Sequence, residues 1–179
     1  MRRLATPPSG KERFFDDNEI IVSKTDARGI ITYANEVFLR VAGYTEGEVL
    51  GQPHNLIRHP DMPMCVFKLL WDTIESGNEI FAYVMNQAKN GDHYWVLAHV
   101  TPTYNAEGKI IGYHSNRRTA NREAVRTMEG IYRELRRAEA EHKTSEAAMK
   151  AGVECLVAML AKAGVSYDEF VFSLEVVNA

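Results

Sequence analysis

The hydrophobic pattern of the chain changes from strand-like to helical about two thirds of the way along it. Short runs of apolar and β-branched residues, separated by turn residues, predict five strands before residue 119. The predicted strands cover residues 19–25, 30–34, 80–88, 93–104 and 109–116. The sequences DARG at residues 26–29 and KNGD at residues 89–92 predict tight turns between neighbouring strands. The sheet is therefore expected to be antiparallel.

Helical patterns lie between the second and third strands. Asn35 is a favourable N-cap for a short helix over residues 36–42, which Gly43 would close. The sequence TEGE at residues 45–48 fits a capping box and predicts another short turn of helix. Residues 52–64 contain three prolines and are expected to be irregular. After them, apolar residues at three- and four-residue spacing predict a helix that ends near residue 76.

From residue 119 onward glycine and proline become rare and the apolar period is helical. Two apolar stripes predict two helices, because a polar break near residues 143–145 separates them. The stripes consist of Val125, Met128, Tyr132 and Leu135, and of Met149, Val153, Leu156 and Leu160. Residues 166–177 are compatible with either a capped helix or a further strand.

This order of elements predicts an α+β fold, a five-stranded antiparallel sheet with short helices on one face and a C-terminal helical extension. We expect three parts in the chain. Residues 1–18 form a flexible arm that docks through Phe14 and Phe15, residues 19–118 form the globular domain, and residues 119–179 form a helical tail for output or dimerisation.

The composition narrows the function. The 179 residues carry a formal net charge of −3, which does not favour nucleic acid as a partner. The N-terminus lacks the apolar core of a secretory signal, and no apolar run reaches bilayer length, so a cytoplasmic protein without direct membrane insertion is expected. Two cysteines without metal-ligand spacing agree with a reducing compartment. The sequence has no evident nucleophile–base set and no phosphate-binding glycine loop, so an enzyme is not expected.

Two motifs are more specific than the order of elements. Residues 51–63 read GQPHNLIRHPDMP, and residues 89–96 read KNGDHYWV. Both closely resemble segments of PAS domains in bacterial aerotaxis and energy-taxis receptors, and the likeness extends over about residues 18–118. The resemblance implies a PAS fold that binds FAD non-covalently and reports redox state to a chemotaxis receptor. The chain also resembles relatives in which the sensor is a separate soluble protein that works with a membrane receptor.

The resemblance implies a flavin site around Arg58, His59 and Asp61, which match the flavin-binding motif of the family. The guanidinium of Arg58 suits a pyrophosphate, since it can donate paired charge-assisted hydrogen bonds. Asp61 could accept from a ribose or a flavin N–H, or could orient Arg58. From the residue types alone, a structural loop in which Asp61 caps the next helix is the simpler interpretation.

Four further residues complete the expected site. Asn35 could present its amide to the flavin, in addition to capping a helix, and Phe67 and Trp71 are expected to wall the pocket although core packing would also explain their spacing. The face of the sheet on which Asn86 lies depends on the register of the hairpin that joins residues 80–88 to 93–104. A two-residue loop would place it with Trp95, Leu97, His99 and Thr101. A three-residue loop, which we favour, would place it on the inner face with Tyr94, Val96, Ala98 and Val100.

Two other functions remain open at this stage. The histidines at positions 54, 59, 93, 99, 114 and 142 offer axial ligands for a haem-binding gas sensor. Alternatively, a cofactor-free domain would serve dimerisation and protein interaction. With or without a cofactor, we expect a homodimer or other homo-oligomer through the C-terminal helices. His54 occupies the loop position at which flavin photoreceptors of related fold carry their reactive cysteine, so a light-driven cysteinyl adduct is not expected.

Overall fold

The structure is a computed structural model, and it describes residues 6–175. The strands are β1 Ile21–Asp26, β2 Ile31–Ala34, β3 Ile80–Gln87, β4 His93–Tyr104 and β5 Ile110–Thr119. The α-helices are α1 Glu36–Ala42, α2 Glu46–Val49, α3 Met64–Glu75, α4 Arg122–Ala140, α5 Ser145–Ala163 and α6 Tyr167–Ser173, and a short 3-10 helix covers His54–Ile57. No helix within residues 6–175 is both long enough and apolar enough to cross a membrane.

The five strands form one antiparallel sheet, as the sequence predicts, and their order in it is β2-β1-β5-β4-β3. In the β3–β4 hairpin Asn86 lies opposite Tyr94, which confirms the three-residue loop and the inner-face position of Asn86. Gly91 adopts a φ of 92° in this loop. A Cβ atom there would lie 2.3 Å from the Pro7 carbonyl oxygen, so the loop requires glycine on steric as well as conformational grounds.

The C-terminal helices divide between the two sides of the sheet, since α5 packs against α3 on the side of the short helices. Helices α1 and α3 pack on the inner face, whereas α4 and α6 cover the outer face of β3 and β4. There the Trp95 ring stacks on Tyr132, whose hydroxyl donates to the Tyr83 carbonyl oxygen. The predicted break between α4 and α5 is confirmed. Residues 166–177, for which the sequence allows a helix or a strand, begin as helix α6 after a capping box at Ser166. Residues 176–179 lie outside the described residues.

Residues 6–18 run along the β3–β4 hairpin. The Ser9 amide donates to the Gly91 carbonyl oxygen at 2.8 Å, and the Arg13 amide donates to that of His93 at 2.7 Å. The Arg13 side chain also pairs with Asp92 at 2.9 Å. Phe15 packs against the core while Phe14 stays exposed, so only one of the two aromatic residues is inserted. The composition predicts a flexible arm, but its described part is held by hydrogen bonds that the composition does not reveal.

Candidate functional site

A cavity of about 640 Å³ lies between the inner face of the sheet, the 3-10 helix and α3. Its size falls in the range of pockets that bury a small organic ligand. Most of the wall is apolar or aromatic, and polar groups converge on it from β1, β3 and β5. The apolar lining includes Ile57, Phe67, Leu70, Trp71, Val84, Ala98 and Val100. A planar, largely apolar ligand with a polar edge would match this lining.

Four of the seven residues predicted for the site line this cavity: Arg58, Phe67, Trp71 and Asn86. The Arg58 guanidinium lies 4.1 Å from the centroid of the Phe67 ring, and the backbone of Arg58 forms a bridge with that of Asn86. The loop and strand β3 are thereby joined at the cavity wall. Burial lowers the pKa of Arg58, although the charge of Glu139 opposes that shift.

Asn35 does not line the cavity. Its side-chain oxygen accepts from the amides of Phe38 at 2.9 Å and Val22 at 3.0 Å, and its Nδ2 donates to the Ile20 carbonyl oxygen at 2.8 Å. Both polar atoms of its side chain thus take part in joining α1 to β1. The predicted N-cap is confirmed, and the contact with the cavity is corrected.

His59 and Asp61 also lie away from the cavity. His59 is 4% exposed, its Nδ1 accepts from the Asp61 amide at 3.1 Å, and its ring meets that of His93 at 5.8 Å. The Asp61 carboxylate pairs with Arg136 of α4 at 2.6 Å. The loop turns at Pro60, so that Arg58 faces the cavity, whereas His59 contacts His93 of the hairpin and Asp61 pairs with Arg136 of α4. Their predicted place in the site is corrected on this ground.

A buried cluster that the sequence did not predict also lines the cavity. The Arg117 Nη2 atom lies 2.7 Å from His54 Nε2 and 2.9 Å from Ser23 Oγ. Burial lowers the pKa of Arg117 to about 10, and burial together with the charge of Arg117 lowers that of His54 to about 3. His54 is therefore neutral at pH 7 and accepts through Nε2. The predicted fifth strand ended at residue 116, which left Arg117 out of the inner-face set.

The cavity wall carries polar atoms that no described residue satisfies. Six buried side-chain polar atoms lack a hydrogen-bond partner within residues 6–175, and four of them belong to residues that line this cavity. The four are Thr25 Oγ1, Asn86 Nδ2, Ser115 Oγ and Arg117 Nη1. Buried polar atoms are normally paired, and leaving one unpaired costs about 1–3 kcal/mol. Because two of the four are obligate donors, the cavity is suited to a ligand rich in acceptors.

Neither cysteine lines the cavity. Cys65 is buried at the start of α3, and its burial, reinforced by Glu139, raises the pKa of the thiol to about 12. Cys155 lies on α5. His54 lines the cavity and is hydrogen-bonded to Arg117.

The depressed pKa of His54 predicts a specific dependence of stability on pH. In the unfolded chain the His54 imidazole is protonated near its ordinary pKa of 6.5, whereas in the folded protein its pKa is about 3. Stability contributed by neutral His54 is therefore present above pH 6.5 and declines as the pH falls through that window. From pH 7 to 5 the decline is about 2 kcal/mol.

His54→Gln keeps an acceptor for Arg117 and removes the titration. We expect its free energy of unfolding, measured by urea denaturation, to fall less between pH 7 and 5 than that of the unmodified protein. His59, whose pKa burial also lowers, contributes equally to both proteins. Identical pH dependence in the two proteins would show that His54 is not held neutral.

Comparisons with known proteins agree with this architecture. Residues 31–117 match the family model described as PAS fold. The chain is 45% identical over 119 residues to the aerotaxis receptor of Escherichia coli (strain K12), which covers 66% of this chain and 23% of that receptor. It is 33% identical over 94 residues to the nitrogen fixation regulatory protein of Klebsiella pneumoniae, covering 52% of this chain and 19% of that protein.

Among solved structures, the light-state structure of the blue-light photoreceptor Aureochrome1 LOV matches with a TM-score of 0.57 at 20% identity. That match covers 62% of this chain and 88% of the photoreceptor chain. It supports the fold. The chain spans less than a quarter of the length of either curated relative.

Proposed function

Residues 31–117 belong to the PAS fold family, and from that premise we propose that the chain is a redox or energy sensor that binds FAD and signals through its C-terminal helices. The observation that carries the proposal is the set of four unpartnered polar atoms in one apolar cavity. The likeness to the aerotaxis receptor supports a role in aerotaxis or energy taxis. The proposed place of action is the cytoplasm, and the proposed role is not catalytic.

The residues of the cavity fit the chemistry of a flavin. The polar edge of an oxidised isoalloxazine ring carries two carbonyl oxygens and unprotonated ring nitrogens, which would accept from Asn86 Nδ2 and Arg117 Nη1. Its apolar end would lie between aromatic and aliphatic walls that include Trp71. Arg58 at the cavity mouth would meet a phosphate through charge-assisted hydrogen bonds. When bound, the flavin supplies reversible electron and proton uptake at this edge.

The C-terminal helices contact the walls of this cavity, which supports their role in output. Helix α3 carries Phe67 and Trp71, and its first amides are capped by Glu139 of α4: Met64 N at 3.0 Å and Cys65 N at 2.8 Å. Met149 of α5 lines the cavity itself. A change of hydrogen bonding at Asn86 or of packing on α3 would alter the hold on α4 and α5. The proposed receivers are a membrane chemoreceptor or a second copy of this chain.

The haem alternative has less support. Only His54 among the six histidines lines the cavity, and the charge of Arg117 lies against its Nε2. A metal bound at that nitrogen would displace the buried Arg117 guanidinium, which forms no ion pair with an acidic residue within residues 6–175. The cofactor-free alternative leaves the four polar atoms without a function.

Arg58→Ala tests the proposed phosphate contact. We expect the affinity for FAD, measured by quenching of flavin fluorescence, to fall about tenfold or more, because one charged hydrogen-bonding group contributes roughly 1.5–3 kcal/mol. Arg40→Ala is the matched comparison, because Arg40 pairs with Glu19 and does not line the cavity. A much smaller loss is therefore expected. Full FAD affinity in Arg58→Ala would contradict the assigned site.

A further inference from the structure

A second concavity, the α4–loop groove, opens beside the cavity mouth. It has a volume of about 590 Å³. Its walls are the loop around Pro60, the C-terminal half of α4 and the turn that follows α4. Arg58 and Met64 line both concavities, so the groove begins where the cavity ends. Its cationic and imidazole lining consists of Arg58, Arg133, Arg136, Arg137, His142 and Lys143.

The groove has a surplus of positive charge. Among residues 6–175, Glu139 is the one acidic residue that lines it, and its carboxylate caps α3. Asp61, next to the lining residue Pro60, pairs with Arg136. Within residues 6–175 no ion pair involves Arg133 or Arg137. Their guanidinium groups stand four residues apart on α4, so both project from the same side of the helix.

We propose that the α4–loop groove is the subsite for the pyrophosphate and nucleotide half of a flavin dinucleotide whose ring lies in the cavity. This inference rests on the proposed function. Guanidinium groups bind phosphate oxygens in a bidentate manner, and a row of them suits a pyrophosphate better than a single phosphate. The groove belongs in part to α4, beyond residues 31–117 that match the family model.

The proposed subsite gives the C-terminal helices a direct contact with the ligand. A dinucleotide would touch Arg58 of the domain and Arg133 and Arg137 of α4 at once. Binding would then depend on α4 being packed in place, and packing of α4 would be strengthened by the ligand, because such coupling is reciprocal. Riboflavin lacks phosphate and would not use the subsite, which gives a ligand series that isolates it.

The test measures the affinity of the full chain for FAD, FMN and riboflavin by fluorescence quenching at low and high salt. The variant is Arg133→Ala with Arg137→Ala, and the control is Arg126→Ala, an exposed arginine of α4 that does not line the groove. We expect the double variant to lose about tenfold in affinity for FAD, to lose less for FMN and to bind riboflavin unchanged. Raising salt should weaken FAD binding more in the unmodified chain.

Three results would overturn the inference. Unchanged FAD affinity in the double variant would show that the groove does not hold the ligand. Equal losses for FAD and riboflavin would show a structural effect of the two arginines on the cavity. If the unmodified chain bound none of the three flavins, the proposed function would fail as well, which distinguishes that failure from a failure of the subsite alone.

Discussion

Arg117→Met is expected to lower the affinity for flavin at least about thirtyfold and, in the same protein, to leave the ligand-free state more stable. Arg117 is 4% exposed, has no described acidic partner and keeps one unpaired nitrogen at the cavity wall. Such a charge destabilises the empty fold, and replacing buried charged groups by apolar ones of similar size is often neutral or stabilising. We expect a gain of about 1–2 kcal/mol in the free energy of unfolding.

The loss of affinity follows from the same geometry. Removing a buried charge that meets a bound ligand costs roughly 2 kcal/mol or more, and 2 kcal/mol corresponds to about thirtyfold. His54 and Ser23 can bond each other after the change, since their side chains already lie 3.1 Å apart. The hydrogen bond between them therefore replaces the two that Arg117 makes, and the contact of its guanidinium with the Phe38 ring at 5.9 Å is replaced by apolar packing of methionine. The ligand is the partner whose loss nothing offsets.

Urea denaturation of the ligand-free protein and flavin titration would measure the two effects. Arg118→Met is the matched control, because Arg118 faces outward, 58% exposed, and pairs with Glu175. Neither affinity nor stability should change by more than about 1 kcal/mol in that control. A large loss of stability in Arg117→Met, without a specific loss of flavin affinity, would make Arg117 a structural residue.

Glu139→Ala is expected to loosen the C-terminal helices from the domain and to lower the free energy of unfolding by about 2–3 kcal/mol. The Glu139 carboxylate is buried and accepts from two amides at the start of α3, where the positive end of the helix dipole favours an anion. Alanine would leave both amides, Met64 N and Cys65 N, without their side-chain partner in a largely buried interface.

Urea denaturation measures the loss, and amide hydrogen exchange localises it: faster exchange is expected in the first turn of α3 and in α5. Glu134→Ala, an exposed position of α4, is the control. Gly152→Ala tests the same contact from the opposite side, since its Cβ would lie 2.7 Å from a Glu139 carboxylate oxygen and 2.9 Å from Cys65 Sγ. Unchanged exchange in α3 and α5 for both variants would contradict this coupling.

Local sequence rules predicted the elements well because the determinants are local. The hairpin register around Asn86 followed from one loop residue, Gly91, and the α4–α5 break followed from a polar run. The loop around Arg58 was harder. Proline residues indicate irregular backbone but do not set which side chains turn inward, and so His59 and Asp61 were assigned to a cavity that they do not line.

The remaining differences are long-range. Glu139 lies more than seventy residues from the helix that it caps, and no spacing rule connects two such positions. Arg117 lies outside the predicted fifth strand because that strand is longer than its apolar pattern. In a sequence, an arginine at such a position indicates the end of a strand rather than a buried residue. The arm at residues 6–18 is held by backbone hydrogen bonds to the hairpin, which composition cannot encode.

The most direct test of the central claim is an absorption spectrum of the full chain after incubation with FAD and removal of unbound ligand, before and after reduction. We predict the blue and near-ultraviolet bands of an oxidised flavin at equimolar occupancy, lost on reduction and restored by air. Colourless protein after this treatment, or a Soret band in the protein as purified, would contradict the account.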